Sequence, residues 1–194
     1  MAAADFAVSK LKGALASGGA RPSLFDFTIT GTPSGVSIGN VKYFCQVSAL
    51  PPLTVTPIEK MYFGRTVKIP GDIVYGDLTT TIYQTEAGTE RSGIENWMDK
   101  INGHVDNKST LETETGNFMA KYSAKGTLTQ YAKDGSKVLS TVNFIDMWPQ
   151  AVTEIALSYD TASDLEQFDV TWSYILYKVK IQSTPGVTKH GNQG

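Results

Sequence analysis

"YSAKGTLTQYAKDGSKVLSTVNFIDMWP", residues 122–149, sets two β-prone runs on either side of an Asp-Gly pair. That dipeptide supplies the positive φ of a tight hairpin turn, so the stretch reads as two antiparallel strands. Its polar phase carries Thr127, Thr129, Thr141 and Asn143, neutral hydrogen-bonding side chains instead of charges. An antiparallel sheet with one apolar face and one threonine-rich face is the frame for everything on either side.

Toward the C-terminus, Ile155, Leu157 and Tyr159 predict a strand over about 153–159. Phe168, Val170, Trp172 and Tyr174 alternate with Asp169, Thr171 and Ser173, which predicts another over about 167–179. Toward the N-terminus, residues 102–117 are rich in Gly, Asn, Ser and Thr and read as an exposed connection. Residues 86–101 place Ile94, Trp97, Met98 and Ile101 at helical spacing, with Glu86 and Glu90 near the start, where the helix dipole favours acids. Leu78, Thr80 and Ile82 alternate with Thr79, Thr81 and Tyr83, and Val67 and Ile69 with Thr66 and Lys68; both patterns predict strands.

Residues 41–49 alternate Val41, Tyr43, Cys45, Val47 and Ala49 against Lys42, Phe44, Gln46 and Ser48, a further predicted strand in which Phe44 interrupts the polar side. "LFDFTIT", 24–30, gives the first strand, and 5–16 a weakly amphipathic helix with Ala7, Leu11, Ala14 and Leu15 on one face and Phe6 away from it. The fold class is therefore mainly β: an antiparallel β-sandwich or partial barrel with one flanking α-helix and a short N-terminal helix. The expected organisation is an N-terminal helix or arm over 1–20, a single β domain over 21–182 and a C-terminal tail over 183–194.

The chain has 194 residues, 41% hydrophobic and 19% charged, with a formal charge of −2. That balance offers no basic field for tight nucleic-acid binding, and the low charge fraction leaves neutral surface for burial against partners. Cys45, the single cysteine, allows no intrachain disulfide and reads as a packed thiol, which fits a cytosolic protein. No secretory leader or membrane anchor is expected. His104 and His190 are the only histidines, so neither a zinc cluster nor a Ser/His relay is expected. Glu112 and Glu114 fall in the loop-like stretch and read as solvated charge. Trp97, Trp148 and Trp172 sit with most other aromatics on apolar phases and read as core. No catalytic residue, metal ligand or cofactor is expected.

Between the predicted strands, "CQVSALPPLTVTPIEKMYFGRTVKIPGD", residues 45–72, places Pro51, Pro52 and Pro57 close together and then stays apolar. Prolines stiffen the chain and remove backbone donors, so the segment reads as an apolar loop that projects without recruiting a stray strand.

In this order and spacing, "ARPSLFDFTI", "FCQVSALP", "GRTVKIPGD", "QTE", "IENWMDKI", "QYAKDG", "MWPQAV" and "LEQFDVTWSYILY" resemble the tail tube proteins of contractile-tailed bacteriophages, more distantly related to type VI secretion tube proteins. The resemblance covers about residues 5–178. It implies a structural virion protein in the tail, assembled in the host cytoplasm. Six subunits would form a ring, with four strands of each closing a multi-subunit inner β-barrel. Stacked rings would conduct double-stranded DNA in transient, non-specific passage. It also implies sheath, baseplate, tape-measure and terminator proteins as partners.

About 24 strands at ~4.8 Å spacing give a barrel backbone roughly 40–45 Å across, wide enough for a duplex of about 20 Å. A bore that passes DNA must be wet yet must not grip phosphate, which suits a threonine-rich wall. Expected lumen-facing residues are Gln46, Ser48, Thr127, Thr129, Thr141 and Asn143, on the strands at 41–49, 65–70 and 124–145. Lys42 and Lys68 share that phase and must pair with an acid, lie at a ring edge or face elsewhere. Leu53, Val55, Ile58, Met61, Tyr62 and Phe63 are the expected contacts with a neighbouring subunit or ring. Two alternatives stay open: a tube subunit of a secretion or other contractile injection system, and a monomeric β-sandwich carbohydrate-binding module.

Overall fold

The computed structural model describes residues 8, 10, 12, 22–109, 111, 118–133, 135, 137–155, 157–158 and 165–181. The strands are β1 (Phe25–Thr30), β2 (Cys45–Ser48), β3 (Leu53–Tyr62), β4 (Arg65–Tyr75), β5 (Leu78–Tyr83), β6 (Ala124–Tyr131), β7 (Val138–Val152), β8 (Gln167–Ser173) and β9 (Leu176–Ile181). Helical segments are α1 (Val41–Phe44), α2 (Thr89–Ile101) and α3 (Phe118–Tyr122). The fold is mainly β, a nearly closed antiparallel sheet in the order β1-β6-β7-β8-β5-β2, with β9 also on β7.

β7 is the spine. Its first half pairs with β6 through Thr127↔Asn143 and with β9 through Asn143↔Lys178, so those two strands flank it. Its last residues pair with β8 through Trp148↔Ser173. At the change of partner, Asp146 takes φ 54°, and Pro149 follows where β6 no longer runs alongside. A strand can hold a proline where no neighbour needs its missing N–H.

The inward phases of the two halves meet in one core. Phe27, Leu128, Val142 and Phe144 face Leu78, Ile82, Phe168, Val170 and Trp172. α2 adds Ile94 and Trp97, both fully buried, and Trp97 lies 6.0 Å from Trp172. Each such side chain contributes about 1.5–3 kcal/mol through burial. The indoles keep partners: Trp97 donates to the carbonyl of Tyr122 and Trp172 to the Thr80 hydroxyl, both at 2.8 Å.

Several expectations need correction. Residues 41–44 form a helical turn, and only Cys45–Ser48 is extended. Gly39 at φ 60° starts the turn, Val41 and Phe44 reach the core, and Tyr43 points outward. The interruption at Phe44 marked helical spacing inside an apparent alternation. No separate strand occupies 153–155 and 157–158, because β7 continues through Pro149 to Val152 and then leaves the sheet; Tyr159 lies outside the described residues. The run at 167–179 is split at Tyr174 and Ile175 into β8 and β9, which serve different halves of β7.

β6 ends at Tyr131 and β7 begins at Val138, so the connection is longer than the expected two-residue turn; Gly135 takes φ 69°, and Asp134 lies outside the described residues. The 102–117 connection is not wholly exposed, since Leu111 is buried. α3 follows it where no helix was expected. Val8, Lys10 and Lys12 are helical and exposed. The apolar face expected on that helix, the acids Glu112 and Glu114, and the tail with His190 lie outside the described residues.

The largest departure lies between β2 and β5. The expected projecting loop and the expected strand at 65–70 are together one β-hairpin, β3-β4, a two-stranded sheet separate from the main one. Pro57 sits opposite Pro70 beside a register shift, so two missing donors fall together at an irregular point of the ladder.

Candidate assembly interface

Three features of the surface bear on association: a polar sheet face, unpaired strand edges and the hairpin arm. The face belongs to β1, β6, β7 and β9. Across it Thr127 pairs with Thr28 and Asn143, and Thr129 with Asp26 and Thr141. The Thr127 hydroxyl donates to Asn143 Oδ1 at 3.3 Å. All four of Thr127, Thr129, Thr141 and Asn143 thus share one neutral patch. Gln46 and Ser48 do not join them. Both lie on β2 in the other half of the sheet, where Ser48 is opposite the buried Thr80.

Charge gathers at the borders of this patch. On β9, Lys178 and Lys180 stand level with Asn143 and Thr141. At the opposite edge Asp26 accepts a hydrogen bond from the Tyr131 hydroxyl at 2.9 Å and lies 3.6 Å from Lys42 Nζ. That hydrogen bond, then burial and the carboxylate's charge, push the Tyr131 phenol up. Lys68 lies 3.2 Å from Glu59 on the arm. Both lysines that conflicted with a non-adhesive wall therefore have acidic partners.

The arm exposes apolar surface on every side. Leu53, Val55 and Ile58 are about half exposed, and Met61, Tyr62 and Phe63 more so, with Phe63 at 91%. Sequence reasoning missed their cross-strand partners: Ile58 faces Ile69, Lys60 faces Val67, and Val55 faces Ile73. The available signal was two β-prone runs of similar length around Phe63-Gly64, which the prolines masked. Phe63 at φ 44° and Gly64 at φ 75° form the two-residue turn. Two consecutive positive φ values suit Asn-Gly, so a phenylalanine there is conformationally strained. An isolated two-stranded hairpin is marginal in water, and this one meets the sandwich at its base, where Tyr75 packs edge to face on Tyr174 and Tyr177.

Cys45 is half-buried, and burial pushes its thiol up to about 12, so it stays protonated at neutral pH. Among the described residues no helix is long and apolar enough to cross a membrane.

Comparison with known proteins agrees with this architecture. The chain is 28% identical over 152 residues to the tail tube protein gp19 of Enterobacteria phage T4, covering 78% of this chain and 86% of that protein. It matches gp19 of Enterobacteria phage T6 over the same shares, again at 28% identity. The fold is similar to a chain of the PVC sheath-tube complex of an extracellular contractile injection system in its extended state. The TM-score is 0.60 at 13% identity, over 92% of this chain and all of that one. A chain of the anti-feeding prophage cap, described as the AFP tube terminating cap, gives 0.61 at 14% identity, over 94% and 99%. A sequence profile for the family described as phage tail tube protein matches residues 20–180, so the chain belongs to the phage tail tube protein family.

Proposed function

We propose that the chain assembles into hexameric rings that stack into a tail tube, with the threonine-rich face of β1, β6, β7 and β9 lining a bore for double-stranded DNA. The observation that carries this reading is a four-stranded antiparallel sheet with a neutral polar face and two outer edges, β1 and β9. Strand direction alternates from β1 to β9, so β9 of one copy meets β1 of the next antiparallel and the pattern continues around the ring. Six copies give about 24 strands, and closure removes the open edges that would otherwise recruit unrelated chains.

Closure also suits the charges. Lys178 and Lys180 lie on one edge and Asp26 on the other, so each seam brings opposite signs together on the bore side. Between the seams, threonine and asparagine keep water, and Lys125, opposite Thr30 at the start of β6, places a cation at one end of this face. The arm supplies the contact with a neighbouring subunit or ring through Leu53, Val55, Ile58, Met61, Tyr62 and Phe63. The solved structures of similar fold, described as a sheath-tube complex, a tube cap and a baseplate, support sheath, baseplate and terminator proteins as partners. A tape-measure protein inside the bore completes the set. In this reading residues 21–182 are the tube domain, with an N-terminal arm over 1–20 and a tail over 183–194 outside it. The protein is a structural component of the virion tail.

Size-exclusion chromatography followed by negative-stain microscopy tests the reading. Rings or filaments are expected, whereas a small monomer under all conditions would favour an independent binding module. The double variant Ile58→Ser, Phe63→Ser is expected to raise the concentration needed for assembly by about tenfold or more while the monomer stays folded. Unchanged tube formation would remove the arm from the contact.

A further inference from the structure

Among the described residues, one end of the sandwich is not filled. Between β1, β2, β6 and β7 lies a pocket of ≈ 220 Å³ walled by Pro22, Phe25, Leu50, Leu128 and Val142. Its polar groups are Ser48, Gln130 and Ser140. Ser140 donates to Gln130 Oε1 at 3.3 Å, but Ser48 Oγ is buried with no hydrogen-bond partner among the described residues. The walls are mostly apolar, so the site suits a mostly apolar occupant. No charged side chain among the described residues lines it, which disfavours an ionic ligand.

The same chain carries a matching group. Tyr62 and Phe63 stack edge to face at the arm tip, ring centroids 4.7 Å apart, both well exposed. Phe63 presents this pair from a strained backbone at φ 44°. Leu50 precedes the base of the arm by three residues, and ten extended residues carry the tip roughly 30 Å from that base. A tip therefore cannot fill the pocket of its own chain.

We propose that the Tyr62-Phe63 tip of one copy seats in the Phe25-Leu50-Val142 pocket of a second copy. The assignment rests on the tube reading and names the surface that the arm meets. Area supports it. With the cross-strand partners on β4, ten large apolar side chains of the arm are about half exposed or more, on the order of 1,000 Å² against the ~800 Å² per partner of a standard interface. Tip and pocket are different patches of the same chain, so the contact is head-to-tail and propagates into a ring or a stack instead of stopping at a dimer.

Cysteine cross-linking of the full chain tests the contact. Mixing an Arg65→Cys chain with an Ala49→Cys chain, exposed positions beside the tip and the pocket that leave Phe63 and Leu50 in place, is expected under mild oxidation to give a disulfide-linked pair on a non-reducing gel. The double variant is expected to give a ladder of linked oligomers. Both chains carry Cys45→Ser, which removes the single native thiol. A control cysteine at Val105, 94% exposed and far along the chain, is expected to link to neither.

Wild-type rings or tubes without tip-to-pocket linkage would overturn this contact and leave the tube reading standing. A wild-type chain that never assembles would overturn both. A disulfide within one chain between Leu15→Cys and Ala49→Cys would assign the pocket to the chain's own N-terminal segment, and that also overturns it.

Discussion

Glu90 is 1% exposed at the first turn of α2 and accepts hydrogen bonds from the Thr85 hydroxyl at 2.7 Å, the Thr85 N–H at 3.3 Å and the Thr89 hydroxyl at 3.1 Å. Burial pushes its carboxyl up, but these bonds, the Thr85 hydroxyl foremost, outweigh burial and hold it below the usual carboxylate range. A depressed folded value means that the stability Glu90 contributes is present above its unfolded value. It is lost as pH falls through the folded one. Melting temperature should therefore drop with acidification below about 4.5, and Glu90→Gln should flatten that part of the curve while lowering stability at neutral pH by about 1–3 kcal/mol. Parallel curves for the two proteins would show that Glu90 is not the linked group. The sequence placed an acid at a helix start, where it is favourable on general grounds. It could not show that Gly39, at φ 60°, lets the preceding loop close over the carboxylate, because that contact joins residues far apart in the chain.

At the scale of elements, α2 was legible because four apolar residues recur at helical spacing, while its fit against the 31–40 loop was not. A Cβ at Gly93 would stand 2.1 Å from the Ser37 carbonyl oxygen and 2.9 Å from Ile38 Cα. Helix propensity alone favours Gly93→Ala by about 1 kcal/mol. The backbone contact dominates, so the substitution is expected to destabilise by about 1–3 kcal/mol in urea unfolding. A stabilised variant would mean that the loop yields freely. The same distinction separates the strands that were read correctly from those that were not. β5, β6 and β8 alternate cleanly because one side of each is buried. Residues 41–44 imitate alternation over one helical turn, and four residues are too few to separate the two periods.

At the scale of the whole molecule, the arm is an appendage on a nearly closed body. Its base is shut by the Gly76 N–H bonding the Pro52 carbonyl at 3.0 Å. Replacing residues 53–75 with Asn-Gly should leave a cooperatively unfolding monomer with a melting temperature lower by only about 5–10 °C, reflecting loss of the Tyr75 ring contacts, and should abolish assembly. A variant that still forms tubes would move the essential contacts to the sheet edges. The mainly β class, the hairpin around Gly135, the core phases of β5, β6 and β8, and the threonine character of one face were determined by the sequence, since each follows from local period and residue type. The tertiary structure alone decided that two apolar runs around Phe63-Gly64 form a free-standing arm, and that four of the six candidate wall residues share a patch while Gln46 and Ser48 do not. Those outcomes depend on which strands pair across long stretches of chain. The pairing is selected by mutual burial in one core, and periodicity within a single strand carries no record of its partner.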